Sequence, residues 1–314
     1  VSRVRVCFLG TPEIAVTCLR RVLEDEHYEV VGVVTQPDRP SGRKMVLTPT
    51  PVKSLALAQG IPVISPESVN KDPILQEVQK WKAEVAVVVA FGQIVSQKFL
   101  DSFPFGCVNV HASLLPQWRG AAPIQRAIEA GDTESGVTLQ KMVKALDAGD
   151  MLGSRKIKID EEMTAQQLHD QMAVLGGELL HVELMDYVRG HLVPVPQDET
   201  KVTYAKKIDK SESEIRWTES AKNIHNRVRA FNMGPGTWTS LQGKKIKIHT
   251  TRVVTASGSS SAPGTVVEVQ SGSLQVAAGM GVLEILQLQP ESRNRMNVVD
   301  FLKGHPLQKG DHFG

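Results

Sequence analysis

Residues 3–35 read RVRVCFLGTPEIAVTCLRRVLEDEHYEVVGVVT. Residues 3–9 form a mostly apolar run with weak alternation, the pattern of a strand covered on both faces of a parallel sheet. Gly10-Thr11-Pro12 breaks it, and residues 12–24 then carry helical spacing before a second apolar run over 29–35. A strand, a crossover helix and a second strand predict a doubly wound α/β domain. A single glycine follows the first strand, whereas the dinucleotide fingerprint needs three at fixed spacing, so the pattern argues against a nicotinamide oxidoreductase.

Outward from this unit, helices are expected over 52–59 and 73–81 and a strand over 61–65. Residues 85–90, VAVVVA, form the plainest buried strand. Phe91-Gly92-Gln93-Ile94 follows it, at the strand end where open α/β sheets bind ligands. Residues 36–53, QPDRPSGRKMVLTPTPVK, read as a long loop whose length and proline content point to function rather than a tight connection. Residues 151–159 are strand-like, and 164–188 place Leu168, Met172, Leu175, Leu179, Leu180 and Leu184 on one helical side, a packing stripe. Residues 190–203 read as a connector.

Beyond residue 205 the pattern changes. A helix over 220–231 precedes short strands over 244–254, 265–270, 274–278 and 282–288, with glycine turns and a closing helix over 297–303. This spacing predicts a small β-barrel. The 314 residues suit two domains. From residue 205 on there are 15 Lys and Arg against 9 Asp and Glu, a net +6; with +2 overall, the remainder carries −4. A basic smaller part beside an acidic larger part fits a polyanionic partner as well as a merely solvated face.

Composition is that of an ordinary globular chain, with no apolar run long enough to span a membrane, and no membrane partner is expected. Strand character begins almost at Val1, which leaves no room for a leader and predicts a cytoplasmic protein. Cys7, Cys18 and Cys107 lack metal-ligand spacing and are expected as buried free thiols. The histidines outside the central motif show no ligand spacing either, and no metal is inferred. His181 and His191 are expected at the surface near a helix end.

The chemistry concentrates in residues 106–130, GCVNVHASLLPQWRGAAPIQRAIEA. Cys107-Val108 opens a short strand from which Asn109 and His111 emerge two apart, hence on one face. Pro116 makes the following turn rigid, and Pro123 suits the first turn of a helix running to Ala130. A second loop, Leu146-Asp147-Ala148-Gly149-Asp150, follows an apolar run over 137–143. An amide that can hold an oxyanion, an imidazole that can move a proton and a carboxylate that can orient it make a set for attack on a carbonyl. The same residues also fit a turn beside a structural histidine.

Asn109-Val110-His111-Ala112-Ser113-Leu114-Leu115-Pro116, with Leu146-Asp147-Ala148-Gly149-Asp150, resembles the signature of the 10-formyltetrahydrofolate-dependent formyltransferases. Trp118-Arg119-Gly120-Ala121-Ala122-Pro123-Ile124-Gln125 and the loop Gln36-Pro37-Asp38-Arg39-Pro40-Ser41-Gly42-Arg43 resemble its tRNA-acting branch. The resemblance covers nearly the whole chain. It implies a Rossmann-like formyltransferase domain over 1–204 and an oligonucleotide-binding-like (OB-like) tRNA-binding barrel over 205–314.

The family's roles, carried over, make Asn109, His111 and Asp147 catalytic. Ser113, Leu114, Leu115 and Pro116, with Phe91 and Gly92, would line the folate site. Arg39, Arg43 and Lys44 would meet charged initiator tRNA. 10-Formyltetrahydrofolate is the implied formyl donor, the α-amine of tRNA-bound methionine the acceptor, and a monomer is expected. The rivals are a formyltransferase acting on amino-sugar nucleotides, a formyltetrahydrofolate hydrolase and a non-catalytic tRNA-binding protein.

Overall fold

The structure, a computed structural model, describes residues 3–41, 45–258, 260–270 and 272–314. The chain opens with β1 (Val4–Gly10), α1 (Glu13–Leu23), β2 (Tyr28–Val34), β3 (Arg39–Ser41), β4 (Val46–Thr48), α2 (Pro51–Ala58), β5 (Val63–Ile64), α3 (Asp72–Lys80), β6 (Val85–Val89) and α4 (Gln97–Leu100). It continues through β7 (Cys107–His111), β8 (Arg119–Gly120), α5 (Pro123–Ala130), β9 (Glu134–Lys141), β10 (Met151–Lys158), α6 (Ala165–Val188) and β11 (Tyr204–Ala205). The last part comprises α7 (Ala221–Ala230), β12 (Thr237–Leu241), β13 (Lys244–Thr255), β14 (Val266–Gln270), β15 (Ser273–Ala277), β16 (Val282–Pro290), β17 (Met296–Asn297) and α8 (Val298–Gly304).

Contacts divide these into two units. The first holds residues 3–120, 135–157 and 169–205; the second holds 121–134, 158–168 and 206–314.

The first unit is built on a seven-stranded sheet in the order β10-β9-β7-β6-β1-β2-β5. β1 lies parallel to both β2 and β6, as the opening strand-helix-strand pattern predicts, and β6 lies parallel to β7. β9 reverses direction and pairs antiparallel with β7. The central strands are largely apolar because both faces are covered: Val6, Cys7, Phe8, Val85, Ala86 and Val87 are all fully buried.

On one face α6 lies close to β7. A Cβ placed on Gly176 would sit 2.8 Å from Val110 Cγ1 and 3.1 Å from Cys18 Sγ, so the missing side chain permits the approach. The predicted stripe on this helix is buried at Leu168, Met172, Leu179, Leu180 and Leu184.

Two expectations change. Residues 36–53 are not one irregular loop: β3 and β4 pair as an antiparallel hairpin, and α2 starts at Pro51 with Thr50 Oγ1 accepting the Lys53 amide at 3.1 Å. The strands are only three residues each, and β3 contains Pro40, so periodicity does not reveal them. Gly42, Arg43 and Lys44 lie outside the described residues. His181 is exposed as expected, but it lies within α6 rather than near a helix end, and its Nδ1 donates to Asp25 Oδ2 at 2.5 Å. His191 is exposed, with Nδ1 3.7 Å from Asp186.

Burial works against ionisation of Asp25. Hydrogen bonds from the His27 amide and from the His181 and His27 rings outweigh it and hold the carboxyl below the usual range.

In the second unit a six-stranded antiparallel sheet runs β12-β13-β16-β15-β14, with β17 on β16. Its two edges meet through the end of the chain: Phe313 bridges Leu241 of β12, and His312 bridges Thr265 just before β14. The fully buried Leu274, Val276, Leu283, Ile285, Leu288, Phe301 and Phe313 belong to its core. Strand β12 was not among the expected strands, although TWTSL alternates buried and half-buried positions. Within this unit Arg126 of α5 bonds Glu129 and Glu212 at 2.6 to 2.9 Å, and Glu129 also holds Arg227 of α7.

Two outcomes follow. Gly176→Val should cost about 1–3 kcal/mol by overpacking, seen as a lower denaturant midpoint. For Asp25, the depressed folded pKa means its stabilisation is complete above the ordinary carboxylate value of about 4. It is lost as pH falls through the lower folded value. Asp25→Asn should therefore be less stable than the parent at pH ~6 and converge with it in strong acid. Equal denaturant curves at both pH values would show that the Asp25 cluster adds nothing.

Candidate active site

Strand β7 extends through His111, further than the two-residue strand expected, and alternation along it sets the site. Val110 points to the face where Gly176 lies, so Asn109 and His111 share the opposite face. Across the antiparallel pairing Asn109 lies directly opposite Gln140, and His111 opposite Thr138. Directly opposed residues share a face, which places four polar side chains together. Asn109 is half-buried, and its side chain has no hydrogen-bond partner among the described residues.

His111 is buried, with Nε2 2.9 Å from the Trp118 carbonyl oxygen. A carbonyl only accepts, so Nε2 carries the proton. In the neutral ring Nδ1 therefore presents its lone pair, and it faces Asp147 Oδ1 at 3.7 Å. Any further proton on the ring enters at Nδ1, on the side of the carboxylate.

Asp147 belongs to the loop between β9 and β10, with a left-handed φ of 49°. This loop folds back over the polar face rather than projecting from the end of a parallel strand. The Gly120 amide donates to Oδ2 at 2.8 Å, and Gln140 Nε2 donates to Oδ1 at 3.2 Å. The fold-back needs Gly149: a Cβ there would lie 1.7 Å from the Lys141 carbonyl oxygen.

Gln197 holds the same loop from outside the motif. Its Nε2 donates to the Asp147 and Gly149 carbonyls at 2.8 and 2.7 Å. Its Oε1 accepts from Arg119 Nε and Nη2 at 3.0 and 2.8 Å, and Arg119 reaches Glu199 as well. Trp118-Arg119-Gly120 thus contacts His111, Gln197 and Asp147 in turn.

The other sequence-predicted residues are placed differently. Ser113 is fully buried; its hydroxyl donates to the Gln117 carbonyl at 2.6 Å, so it shapes the turn from within. Thr138 Oγ1 donates to the Ser113 carbonyl and accepts the Leu115 amide, which fixes that turn on β9. Leu114 and Pro116 are partly exposed, and Leu115 is buried. Phe91 is buried and its carbonyl accepts from Thr11 and Gln36, while Gly92 takes a positive φ. Because β6 and β7 are parallel neighbours, the loops carrying Phe91-Gly92 and Ser113–Pro116 leave the same sheet edge.

Arg39 is exposed on the β3–β4 hairpin and pairs with Glu67 at 3.3 Å, away from His111 and Asp147 in the contacts present. Arg43 and Lys44 lie outside the described residues. No group of three or more His, Cys, Asp or Glu suited to a metal occurs among the described residues. The three cysteines are free and buried; burial raises the Cys107 thiol and pushes Cys18 up to about 12, so neither is poised as a nucleophile.

Sequence reasoning missed Thr138, Gln140 and Gln197. The first two left a trace, as polar residues alternating with Val137 and Leu139 in VTLQ over 137–140. Gln197, in a connector, left none.

Similarity to known proteins agrees with a carbonyl-directed site. Residues 3–184 match the model of the formyl transferase family, and residues 207–306 match its formyl transferase C-terminal domain. The chain belongs to the formyl transferase family, a family of enzymes. It is 64% identical to the methionyl-tRNA formyltransferase of Bdellovibrio bacteriovorus, over the full length of both chains. It is 42% identical to that of Bacillus subtilis, over 99% of this chain and 98% of the relative. Among solved structures, the sugar 3N-formyl transferase WlaRD matches over 94% of this chain and 100% of its own, with a TM-score of 0.67 and 18% identity. At that identity the likeness concerns the fold alone.

Gln197→Leu should leave the Asp147 and Gly149 carbonyls and the Arg119 guanidinium short of partners, costing about 1–3 kcal/mol. Amide hydrogen exchange over residues 142–149 should quicken. Unchanged exchange there would show that the loop stands without Gln197.

Proposed function

We propose that this chain transfers the formyl group of 10-formyltetrahydrofolate to the α-amine of methionine esterified on initiator tRNA. The observation that carries the reading is the Asn109, His111 and Asp147 arrangement in a chain that matches methionyl-tRNA formyltransferases from end to end. The fit to a carbonyl-bearing donor is physical: Asn109 offers an uncommitted amide on a face already organised by hydrogen bonds.

The donor supplies an activated formyl carbon, and the chain's own groups do the rest. Asn109 Nδ2 donates to the formyl oxygen as negative charge develops there. Asp147 takes a proton from the attacking amine. His111, with Nε2 fixed on Trp118, holds or moves a proton only at Nδ1, beside Asp147. One proton leaves the amine and one reaches N10 as the carbon–nitrogen bond breaks, so the transfer is balanced without an external acid. The loops bearing Phe91-Gly92 and Leu114–Pro116 form the walls for the pterin end.

In this reading residues 1–204 carry the transfer and 205–314 bind tRNA. The net +6 of the latter supports this, as do the exposed Lys244, Lys245 and Lys247 on the β12–β13 hairpin, where Lys245 lies 3.9 Å over the Trp238 ring. Arg39 on the early hairpin, together with Arg43 and Lys44, completes the tRNA contacts. Phosphate contacts release counterions, so tRNA affinity should fall steeply with salt.

The direct test supplies 10-formyltetrahydrofolate with charged initiator tRNA, an amino-sugar nucleotide, or water alone. Formyl should appear on the tRNA-bound methionine; appearance on the sugar or release as formate would overturn the reading. Asn109→Ala should lower kcat by roughly 10²–10³, the scale for one oxyanion donor, with the melting temperature unchanged because the side chain holds nothing in place.

A further inference from the structure

Among the buried polar atoms of the first unit left without a partner, beside those of Tyr28, Ser65 and Ser135, one lies next to Asp147. Gln140 is 1% exposed, and its Oε1 has no hydrogen-bond partner among the described residues. Folded proteins rarely bury an acceptor in this state, and an orphan beside a reactive set points to a group that arrives or turns during function. The orientation of the amide is settled by its other end. Asp147 Oδ1 accepts, so the Gln140 atom 3.2 Å from it must be the donor Nε2, and Oε1 points elsewhere.

Directly opposite Gln140 in the β7–β9 register stands Asn109, whose amide also has no partner among the described residues. Opposed side chains of an antiparallel pair have Cβ atoms about 4.5–5.5 Å apart. One unused acceptor and one unused donor therefore belong to side chains directly opposed in the register, with Oε1 itself lying near Gly149. Thr138, the other polar side chain of β9 on this face, is spent on Ser113 and Leu115 and does not compete.

We infer that Gln140 is a positioning residue for the transfer proposed above. When substrate binds, its Oε1 turns to accept one N–H of Asn109 Nδ2, which directs the second N–H toward the formyl oxygen. Its Nε2 stays on Asp147 Oδ1. One amide thereby ties the oxyanion donor on β7 to the carboxylate on the β9–β10 loop. Neither a hydrophobic residue nor a shorter amide would span both. The inference rests on the formyl-transfer reading.

The test compares the wild type, Asn109→Ala, Gln140→Leu and the double variant, using steady-state formylation of charged initiator tRNA by 10-formyltetrahydrofolate, with thermal melting of each. Gln140→Leu should lower kcat roughly 10–100-fold, the loss expected when a group that orients a donor is removed. KM for the formyl donor and the melting temperature should hardly change. In the double variant the two losses should fail to multiply, since Gln140 acts through Asn109. A merely structural residue would lower the melting temperature and multiply with Asn109→Ala.

If Gln140→Leu folds poorly, Gln140→Met keeps the length and carries the same expectations. Normal kcat in a folded Gln140 variant, or fully multiplicative losses, would overturn the inference while leaving the formyl-transfer reading intact. A wild-type protein that moves no formyl group to charged tRNA would overturn that reading and this inference with it.

Discussion

The antiparallel pairing of β7 with β9 is the constraint on which the site depends. It sets Asn109 against Gln140 and His111 against Thr138, and so gathers four polar groups on one face of an apolar sheet. A slip of one residue would turn Asn109 and His111 toward the face where Gly176 leaves room only for a packed backbone. The reversal of β9 also decides where Asp147 can come from. Its loop returns over the sheet instead of leaving from the edge shared by the β6 and β7 loops.

Most polar groups in this neighbourhood are already committed. Trp118, Arg119 and Gly120 give a carbonyl to His111, a guanidinium to Gln197 and an amide to Asp147. Thr138 and Ser113 are spent on the turn after β7. Such a frame lowers the reorganisation needed when charge develops, because the dipoles are aimed before the reaction begins. Against that background the amide of Asn109 and the Oε1 of Gln140 stand out as groups with no partner among the described residues.

The fold accommodates more than one acceptor. A sugar formyl transferase shares it at 18% identity, while relatives at 42% and 64% identity over essentially the full length are methionyl-tRNA formyltransferases. Acceptor choice therefore belongs to features grafted on the common sheet. In the proposed function those are the β3–β4 hairpin and the basic balance beyond residue 205.

The sequence by itself determined what depends on neighbours along the chain. Alternation or helical spacing marked β1, α1, β2, β6 and α6, and the two-residue period placed Asn109 and His111 on one face. The Asn-Val-His and Leu-Asp-Ala-Gly-Asp motifs named the central residues through family resemblance. Tertiary pairing alone sets the direction of β9, the β3–β4 hairpin, the edge strand β12, the His181–Asp25 bond and the placement of Gln140 and Gln197. Each of these is a pairing between distant or weakly patterned segments. Hydrophobic periodicity records which side of an element is buried, but not which polar atom across the fold will meet it. That depends on register and on the path of the returning loop, which exist only once the strands have paired.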